Sequence, residues 1–217
     1  MPGTTRATLA LAACIVLLLG TGVVGAFTID QQKAAGRGGR ASAVPTSLPP
    51  PPPPPVDLGA IVVPGPTGFD RIPDSTLLVG GAADVDRLVV ERTDQTRARA
   101  IFTETGMVSG FVRAWQRPST SELVTVRLYQ FTTPEGAKAY ATKVISAMST
   151  APARTFVVPA TTDTTGIDSQ VAQGPNRLVY VVERKGRVVA ALAATLTPPP
   201  EAGFLAPMAR SQLSLLP

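Results

Sequence analysis

The sequence predicts an α+β fold, with an antiparallel sheet built from two hairpins, helices packed on one face of the sheet, and a preceding transmembrane helix. Three observations support this prediction. An uncharged apolar stretch occupies residues 7–29, alternating patterns mark two strand pairs, and amphipathic helical patterns follow each pair. Hairpins require antiparallel pairing, and a mixture of hairpins and separate helices is typical of the α+β class.

The 217 residues allow one ordinary domain with additional segments. Half of the 22 prolines precede residue 67, so the additional segments lie at the front. We predict a short tail at 1–6, a transmembrane anchor or signal segment at 7–29, a flexible proline-rich linker at 30–66 and an extracytoplasmic α+β domain at 67–217.

Residues 7–29 contain no charge between Arg6 and Asp30. As a helix, Leu9–Phe27 would be about 28 Å long, close to the thickness of a bilayer core. We predict a retained single-pass anchor in the plasma membrane.

Two alternatives to a retained anchor stay open. Val24-Gly25-Ala26 has the small residues of a signal-peptide cleavage site, which would give a secreted protein. Leu11-Ala12-Ala13-Cys14 resembles a bacterial lipobox, which would make Cys14 a lipidation site. The nearby basic residues (Arg6 on one side; Lys33, Arg37 and Arg40 on the other) do not favour an inside N-terminus. We nevertheless expect the domain outside, by analogy with export signals.

The segment 30–66 has the composition of a tether. Pro49–Pro55 is an unbroken proline run that would form a polyproline II rod of about 22 Å. A spacer that lifts the domain off the membrane is the preferred interpretation, and a docking motif for SH3-like or WW-like domains is the alternative.

Two strand pairs are expected in the domain. Val108–Gln116 and Leu123–Phe131 alternate and form the first hairpin. Asn176–Leu196 forms the second, with a turn at Lys185-Gly186, and its nearly continuous apolar strands indicate a central place or cover on both faces. Between the hairpins, 156–158 is expected as a short strand and 161–166 as a polar loop.

Four helices are expected, two before the first hairpin and one after each hairpin. Their signals are an Asp cap at Asp84, a pattern over 93–105 ended by Gly106, Thr133-Pro134-Glu135 as the start of a helix reaching Met148, and an amphipathic run over 204–216.

The residue inventory excludes several kinds of chemistry. The sequence has no histidine, and its single cysteine, Cys14, lies in the apolar segment. Histidine-based triads, histidine-ligated metals and thiol chemistry in the domain are therefore excluded. No phosphate-binding glycine loop or nucleophile elbow occurs. We therefore predict that the protein has no catalytic residue, metal site or cofactor and is not an enzyme.

Basic and aromatic side chains cluster in the first hairpin. Arg113, Arg117 and Arg127 are expected to converge on one face, with Trp115 and Tyr129 nearby, and such a face would suit an anionic or sugar-like ligand. Arg113, Trp115, Arg127 and Tyr129 are the predicted ligand-binding residues. The alternative is a solvated sheet face with ordinary cross-strand packing. The formal net charge is +5, but the charges are interspersed, so no nucleic-acid partner is expected.

The run GFVRAWQR, followed by VTVRLYQFTTPEGAKAYATKV, a late apolar hairpin and a terminal helix, resembles uncharacterised membrane-anchored and lipoprotein-type envelope proteins of actinobacteria. The layout over 68–216 is similar to the extracytoplasmic sensor domains of mycobacterial serine/threonine kinases and to Mog1/PsbP-like domains. This resemblance implies a fold and an extracytoplasmic location, and it carries over no catalytic residue.

We therefore predict a membrane-anchored extracytoplasmic binding module for an envelope lipid, glycan or protein partner. A scaffolding subunit of an envelope complex and a cell-wall hydrolase are the alternatives. A ligand binder would have an internal apolar pocket, a scaffold a large exposed apolar patch, and a hydrolase paired acids in a cleft.

Overall fold

The computed structural model describes residues 55–118, 120, 122–149, 153–158, 164–170, 177–196 and 203–217. The predicted tail, the apolar segment 7–29 with Cys14, and most of the predicted linker lie outside these residues. In the part of the chain that is described, no helix has the length and apolar character needed to cross a membrane.

The described residues form eight strands and four α-helices. In chain order they are β1 (Asp70–Arg71), β2 (Gly81–Ala83), α1 (Val85–Val90), α2 (Gln95–Thr105), β3 (Met107–Gln116), β4 (Leu123–Phe131), α3 (Pro134–Met148), β5 (Arg154–Phe156), β6 (Thr164–Gln170), β7 (Arg177–Lys185), β8 (Val188–Leu196) and α4 (Ala206–Leu215). A short 3₁₀ helix, Asp74–Thr76, lies between β1 and β2.

All eight strands belong to one antiparallel sheet with the order β1-β3-β4-β8-β7-β6-β5, and β2 pairs with another part of β3. Both predicted hairpins, β3–β4 and β7–β8, are confirmed. They join through β4 and β8, so the strands richest in apolar residues occupy the centre.

The strand β6 was not predicted. Residues 164–166, expected in a polar loop, begin this strand and pair with β7. The threonines and Gly166 lack the apolar alternation that marks a strand in sequence. Position 166 is a glycine because the Phe156 ring lies directly against the backbone there: an added Cβ would be 2.3 Å from the ring. The short strand expected at 156–158 lies slightly earlier, as β5.

Two of the predicted helix starts, at Asp84 and Thr133, are confirmed by their caps. The Asp84 carboxylate accepts a hydrogen bond from the Arg87 backbone N–H at 2.8 Å, and the Thr133 hydroxyl accepts one from Gly136 at 3.0 Å. Gly106 ends α2 in the left-handed conformation, with φ of 68°, as a helix C-terminal glycine commonly does.

Helices cover both faces of the sheet, so the prediction that they pack on one face is wrong. The helices α1, α2 and α3 pack on one face through Leu88, Phe102 and Tyr140; we call this the three-helix face. The helix α4 packs on the opposite face, which we call the α4 face, through Leu205 and Ala209. As a result every residue of β4 is buried.

The end of the predicted linker belongs to the folded domain. Leu58 and Val63 are buried in the core of the α4 face. The Gln212 amide of α4 holds this segment twice: it accepts a hydrogen bond from the Val63 N–H at 3.1 Å and donates one to the Ile61 carbonyl at 2.8 Å. We call residues 56–66 the strap. The domain boundary expected at 66/67 is therefore too late by about a dozen residues.

Candidate functional site

The sheet separates the four predicted ligand-binding side chains onto its two faces. Residues opposite each other in an antiparallel pair share a face, and Arg113 lies opposite Val126, one position from Arg127. Arg113 and Trp115 therefore lie on the α4 face, and Arg127 and Tyr129 on the three-helix face. The expected convergence is wrong because pairing register decides the face, whereas ligand binding by these residues stays a prediction.

On the three-helix face, Arg127 forms a buried ion pair with Glu91, the residue that ends α1. Its Nε and Nη2 atoms donate hydrogen bonds of 3.2 Å each to the two carboxylate oxygens of Glu91. Its Nη1 atom lies 3.4 Å from the Thr125 hydroxyl. Both charged side chains are less than a tenth exposed. The pair joins the centre of β4 to the turn between α1 and α2.

The three tyrosines of the chain surround a second arginine, Arg92, beside this pair. The Arg92 Nη2 atom donates a hydrogen bond to the Tyr129 hydroxyl at 2.8 Å. The Tyr129 and Tyr140 rings meet edge to face with centroids 5.2 Å apart. The guanidinium also lies 5.9 Å from the centre of the Phe102 ring. We call Glu91, Arg92, Arg127 and the three tyrosines the buried cluster.

The opposite charges in the buried cluster stabilise one another's ionised forms. Burial raises the pKa of Glu91, but the positive charges of Arg127 and Arg92 outweigh it and leave that pKa below its usual value. Burial raises the pKa values of Tyr140 and Tyr180, which keeps both phenols protonated. The cluster therefore holds one carboxylate and two guanidiniums in the interior, and its geometry suits positioning of α1 and α2 on the sheet.

A different arrangement reaches solvent on the α4 face. Three arginines, Arg71, Arg113 and Arg117, lie along the β1–β3 edge of the sheet; we call them the arginine strip. The Arg113 guanidinium stacks 4.8 Å above the Phe111 ring, and the Arg117 guanidinium 4.8 Å above the Phe69 ring. Stacking on a ring face leaves the edges of a guanidinium free for oxygen ligands.

The arginine strip carries more positive charge than its acidic neighbours neutralise. Arg71 pairs with Asp74 at 3.0 Å, and Arg117 pairs with Glu122 at 3.0 Å. Among the described residues no carboxylate lies within 4 Å of the Arg113 guanidinium, and its Nε atom is buried with no hydrogen-bond partner. Burial, and then the charge of Arg71, lower the pKa of Arg113.

Trp115 packs beneath the arginine strip and under the strap. A Cβ at position 65 would lie 2.3 Å from its indole ring, so the strap backbone crosses the ring directly at Gly65. Gly59 crosses Phe111 in the same way. The aromatic residue expected in a ligand site is therefore mostly a platform for the strap.

A shallow groove of about 650 Å³ runs along α2, on the other side of the sheet. An ion pair between Arg99 and Asp86 and another between Lys143 and Glu104, at 3.2 Å, involve residues at its border. The groove opens to solvent, unlike the internal apolar pocket expected for a small-molecule binder. Its lining is Val89, Gln95, Thr96, Arg99, Ala100, Thr103 and Glu104.

Glu183 is a buried acid on the α4 face that no sequence pattern indicated. Its side chain is fully enclosed, and among the described residues neither carboxylate oxygen has a hydrogen-bond partner. Burial raises its pKa to about 9, so the group is neutral at pH 7. Across the described ranges, no three Cys, Asp or Glu side chains group closely enough to hold a metal ion.

Arg71, Glu91 and Arg92 were also missed by the sequence analysis. Arg71 lies in a segment expected as a loop, and Glu91-Arg92 directly follows the apolar pair Val89-Val90. A charged pair at the end of an apolar helix pattern could have signalled a buried contact, but the partner on β4 is 36 residues away along the chain.

The domain belongs, by architecture, to the α+β class with a single antiparallel sheet covered on both faces. Its fold is similar to that of the extracellular domain of PknH from Mycobacterium tuberculosis, with a TM-score of 0.50 and 11% sequence identity over 73% of this chain and 93% of that one. No family model and no curated protein sequence matches the chain. The similarity concerns the fold alone.

Proposed function

We propose that this chain is a membrane-anchored extracytoplasmic binding module that carries out no catalysis and engages an envelope ligand or protein partner. The observation that carries the proposal is the shared fold with an extracellular domain of a mycobacterial kinase. The uncharged stretch at residues 7–29 supports it, because a segment of that length and composition suits a bilayer.

The arrangement of charged groups favours the arginine strip as the binding surface. The guanidinium of Arg127 is committed to Glu91 inside the protein, so it offers nothing to a ligand. Arg113 has no carboxylate partner among the described residues and reaches solvent beside Arg71 and Arg117. Of the four expected ligand-binding residues, Arg113 thus supports the proposal, in company with Arg71 and Arg117.

Membrane anchoring is tested by alkaline carbonate extraction of cells that express the full chain. The full chain should stay in the membrane pellet, and a variant without residues 7–29 should move to the supernatant. Release of the full chain by carbonate would contradict anchoring by this segment.

Binding is tested by photo-crosslinking in cells, with a photoreactive residue at exposed Thr67, close to Phe69 and the strip, or at exposed Thr96 in the α2 groove. A defined crosslinked species from position 67 and not from 96 is expected. Equal crosslinking from both positions would favour the scaffold alternative, and no crosslink from either would contradict a binding role.

A further inference from the structure

We propose that the arginine strip binds the phosphate of an anionic phospholipid in the membrane that anchors the chain. This proposal rests on the proposed function and names the ligand of that binding module. Three observations support this proposal: the three guanidiniums at one sheet edge, the lack of a carboxylate partner for Arg113 within the described part of the chain, and the position of this edge relative to the tether.

The geometry of Arg71 and Arg113 suits one oxyanion. Arg71 lies opposite Trp115 in the β1–β3 register, so Arg113 is its diagonal neighbour on the same face. Diagonal neighbours in an antiparallel pair have Cα atoms about 7–8 Å apart, which two long arginine side chains can bridge around one phosphate. Asp74, which pairs with Arg71, is the acidic group that opposes such binding and also acts on Arg113.

Two phenylalanine rings beneath the arginine strip restrict the positions of its guanidiniums before any ligand binds. Phe111 and Phe69 hold the guanidinium planes of Arg113 and Arg117, so less side-chain freedom is lost when an anion binds. The side chains of Arg71 and Arg117 are 53% and 41% exposed. A phosphate can therefore reach the strip from solvent without any change in the core.

The position of the tether favours a lipid over a free anion. From Gly65 the strap runs back over Trp115 and then, at Gly59, over the Phe111 ring that carries Arg113. It reaches the tether at Val56, whose N–H is bonded to the Gln130 side chain, so the chain leaves the domain past the Arg113 end of the strip. Residues 30–54, the 25 between the apolar segment and the described domain, reach at most about 90 Å. A tether of that length keeps the domain near the headgroups and makes individually weak phosphate contacts effective.

Trp115 is the only tryptophan of the chain and reports directly on the strip. The test reconstitutes the full chain in nanodiscs that contain a headgroup-labelled dansyl lipid, and measures energy transfer from Trp115 to dansyl. Discs of phosphatidylcholine are compared with discs that also contain phosphatidylglycerol. Transfer should be higher in the anionic discs, and raising the salt concentration should lower it to the level in the neutral discs.

Variants separate the strip from general charge. The double variant R71Q/R113Q should lose the extra transfer in anionic discs, whereas R97Q, a single change at an exposed position on the opposite side of the sheet, should keep it. Unchanged Trp115 emission in neutral discs shows that the double variant is folded. Equal transfer in both lipid compositions, or an equal loss in R97Q, would overturn the proposal.

Inorganic phosphate distinguishes a lipid from a free anion. If phosphate changes Trp115 emission in neutral discs while anionic lipid raises no transfer, the lipid assignment is overturned. These results are independent of membrane anchoring, because carbonate extraction can retain the chain in the pellet while the strip fails to respond to lipid charge.

Discussion

Arg127 and Glu91 form a two-pronged ion pair in the interior of the protein, with both hydrogen bonds 3.2 Å long. Arg127 lies at the centre of the most buried strand, and Glu91 ends the first helix. A buried pair of this kind contributes less than its Coulomb energy suggests, because both charges lose their hydration. The loss of one partner is far more damaging than the loss of both.

Glu91→Ala should therefore destabilise the domain by about 3–5 kcal/mol, because it leaves the Arg127 charge buried without compensation. The double variant Glu91→Met/Arg127→Met should recover much of that loss. Denaturant unfolding measures both. Asp86→Ala, which breaks the exposed pair with Arg99, is the control and should cost less than about 1 kcal/mol. Equal costs for Glu91→Ala and Asp86→Ala would contradict the burial argument.

Glu183 should make the domain less stable as the pH rises. Its pKa is about 9 in the folded state and 4.5 as the ordinary value, so only the unfolded chain ionises between these limits. The wild-type free energy of unfolding should fall by about 2–3 kcal/mol between pH 5.5 and 7.5. Glu91 has the opposite effect, because its pKa is lower in the folded protein than its ordinary value of 4.5. Its ionised form stabilises the fold at pH values above 4.5, and this contribution is lost as the pH falls below 4.5.

The variant Glu183→Gln should remove most of this dependence on pH, because an amide does not ionise. Glu135→Gln, at an exposed position in the first turn of α3, should leave it unchanged. Unfolding free energies at the two pH values decide the question. The same decrease in Glu183→Gln and wild type would show that another group titrates.

Most helices and strands of this fold could be predicted from local sequence patterns. The alternation in Leu123–Phe131, the cap at Thr133 and the glycine at 106 all depend on neighbours in sequence, and the structure confirms them. The features that the sequence did not predict depend on contacts between distant parts of the chain. The strap packs through Gln212, which is 149 residues from Val63, and no composition signal marks that contact.

The prediction that the site residues converge on one face was wrong for a related reason. Alternation assigns residues of one strand to two faces, but it does not say which face of the neighbouring strand they join. The pairing of Arg113 with Val126 places Arg113 and Arg127 on opposite faces. Both arginines were predicted as site residues, and only the structure distinguishes the buried one from the one that reaches solvent.

Gln212→Leu should loosen the strap. The substitution leaves the Val63 N–H and the Ile61 carbonyl without partners and should cost about 1–3 kcal/mol. Faster cleavage within 56–66 in limited proteolysis, and faster hydrogen exchange at the Val63 amide, are the expected readouts. Ser211→Ala, an exposed change on the same helix, is the control. Unaltered protection in Gln212→Leu would contradict a holding role for this amide.

Gly65→Ala should displace the strap from Trp115, because the added Cβ would lie 2.3 Å from the indole ring. We expect a loss of about 1–3 kcal/mol and a shift in tryptophan emission towards that of a solvated indole. Gly203→Ala, where no atom of the described residues lies within 4 Å of the added Cβ, should change neither. An unshifted spectrum in Gly65→Ala would show that the strap does not rest on this ring.

The central claim, that the domain faces the outside of the plasma membrane, is tested most directly by labelling intact cells with a membrane-impermeant maleimide. A cysteine introduced at exposed Thr96 serves as the target. Thr96→Cys should be labelled in intact cells to the same extent as in permeabilised cells, whereas native Cys14 should not be labelled in intact cells. Labelling of position 96 only after permeabilisation would show that the domain faces the inside of the cell.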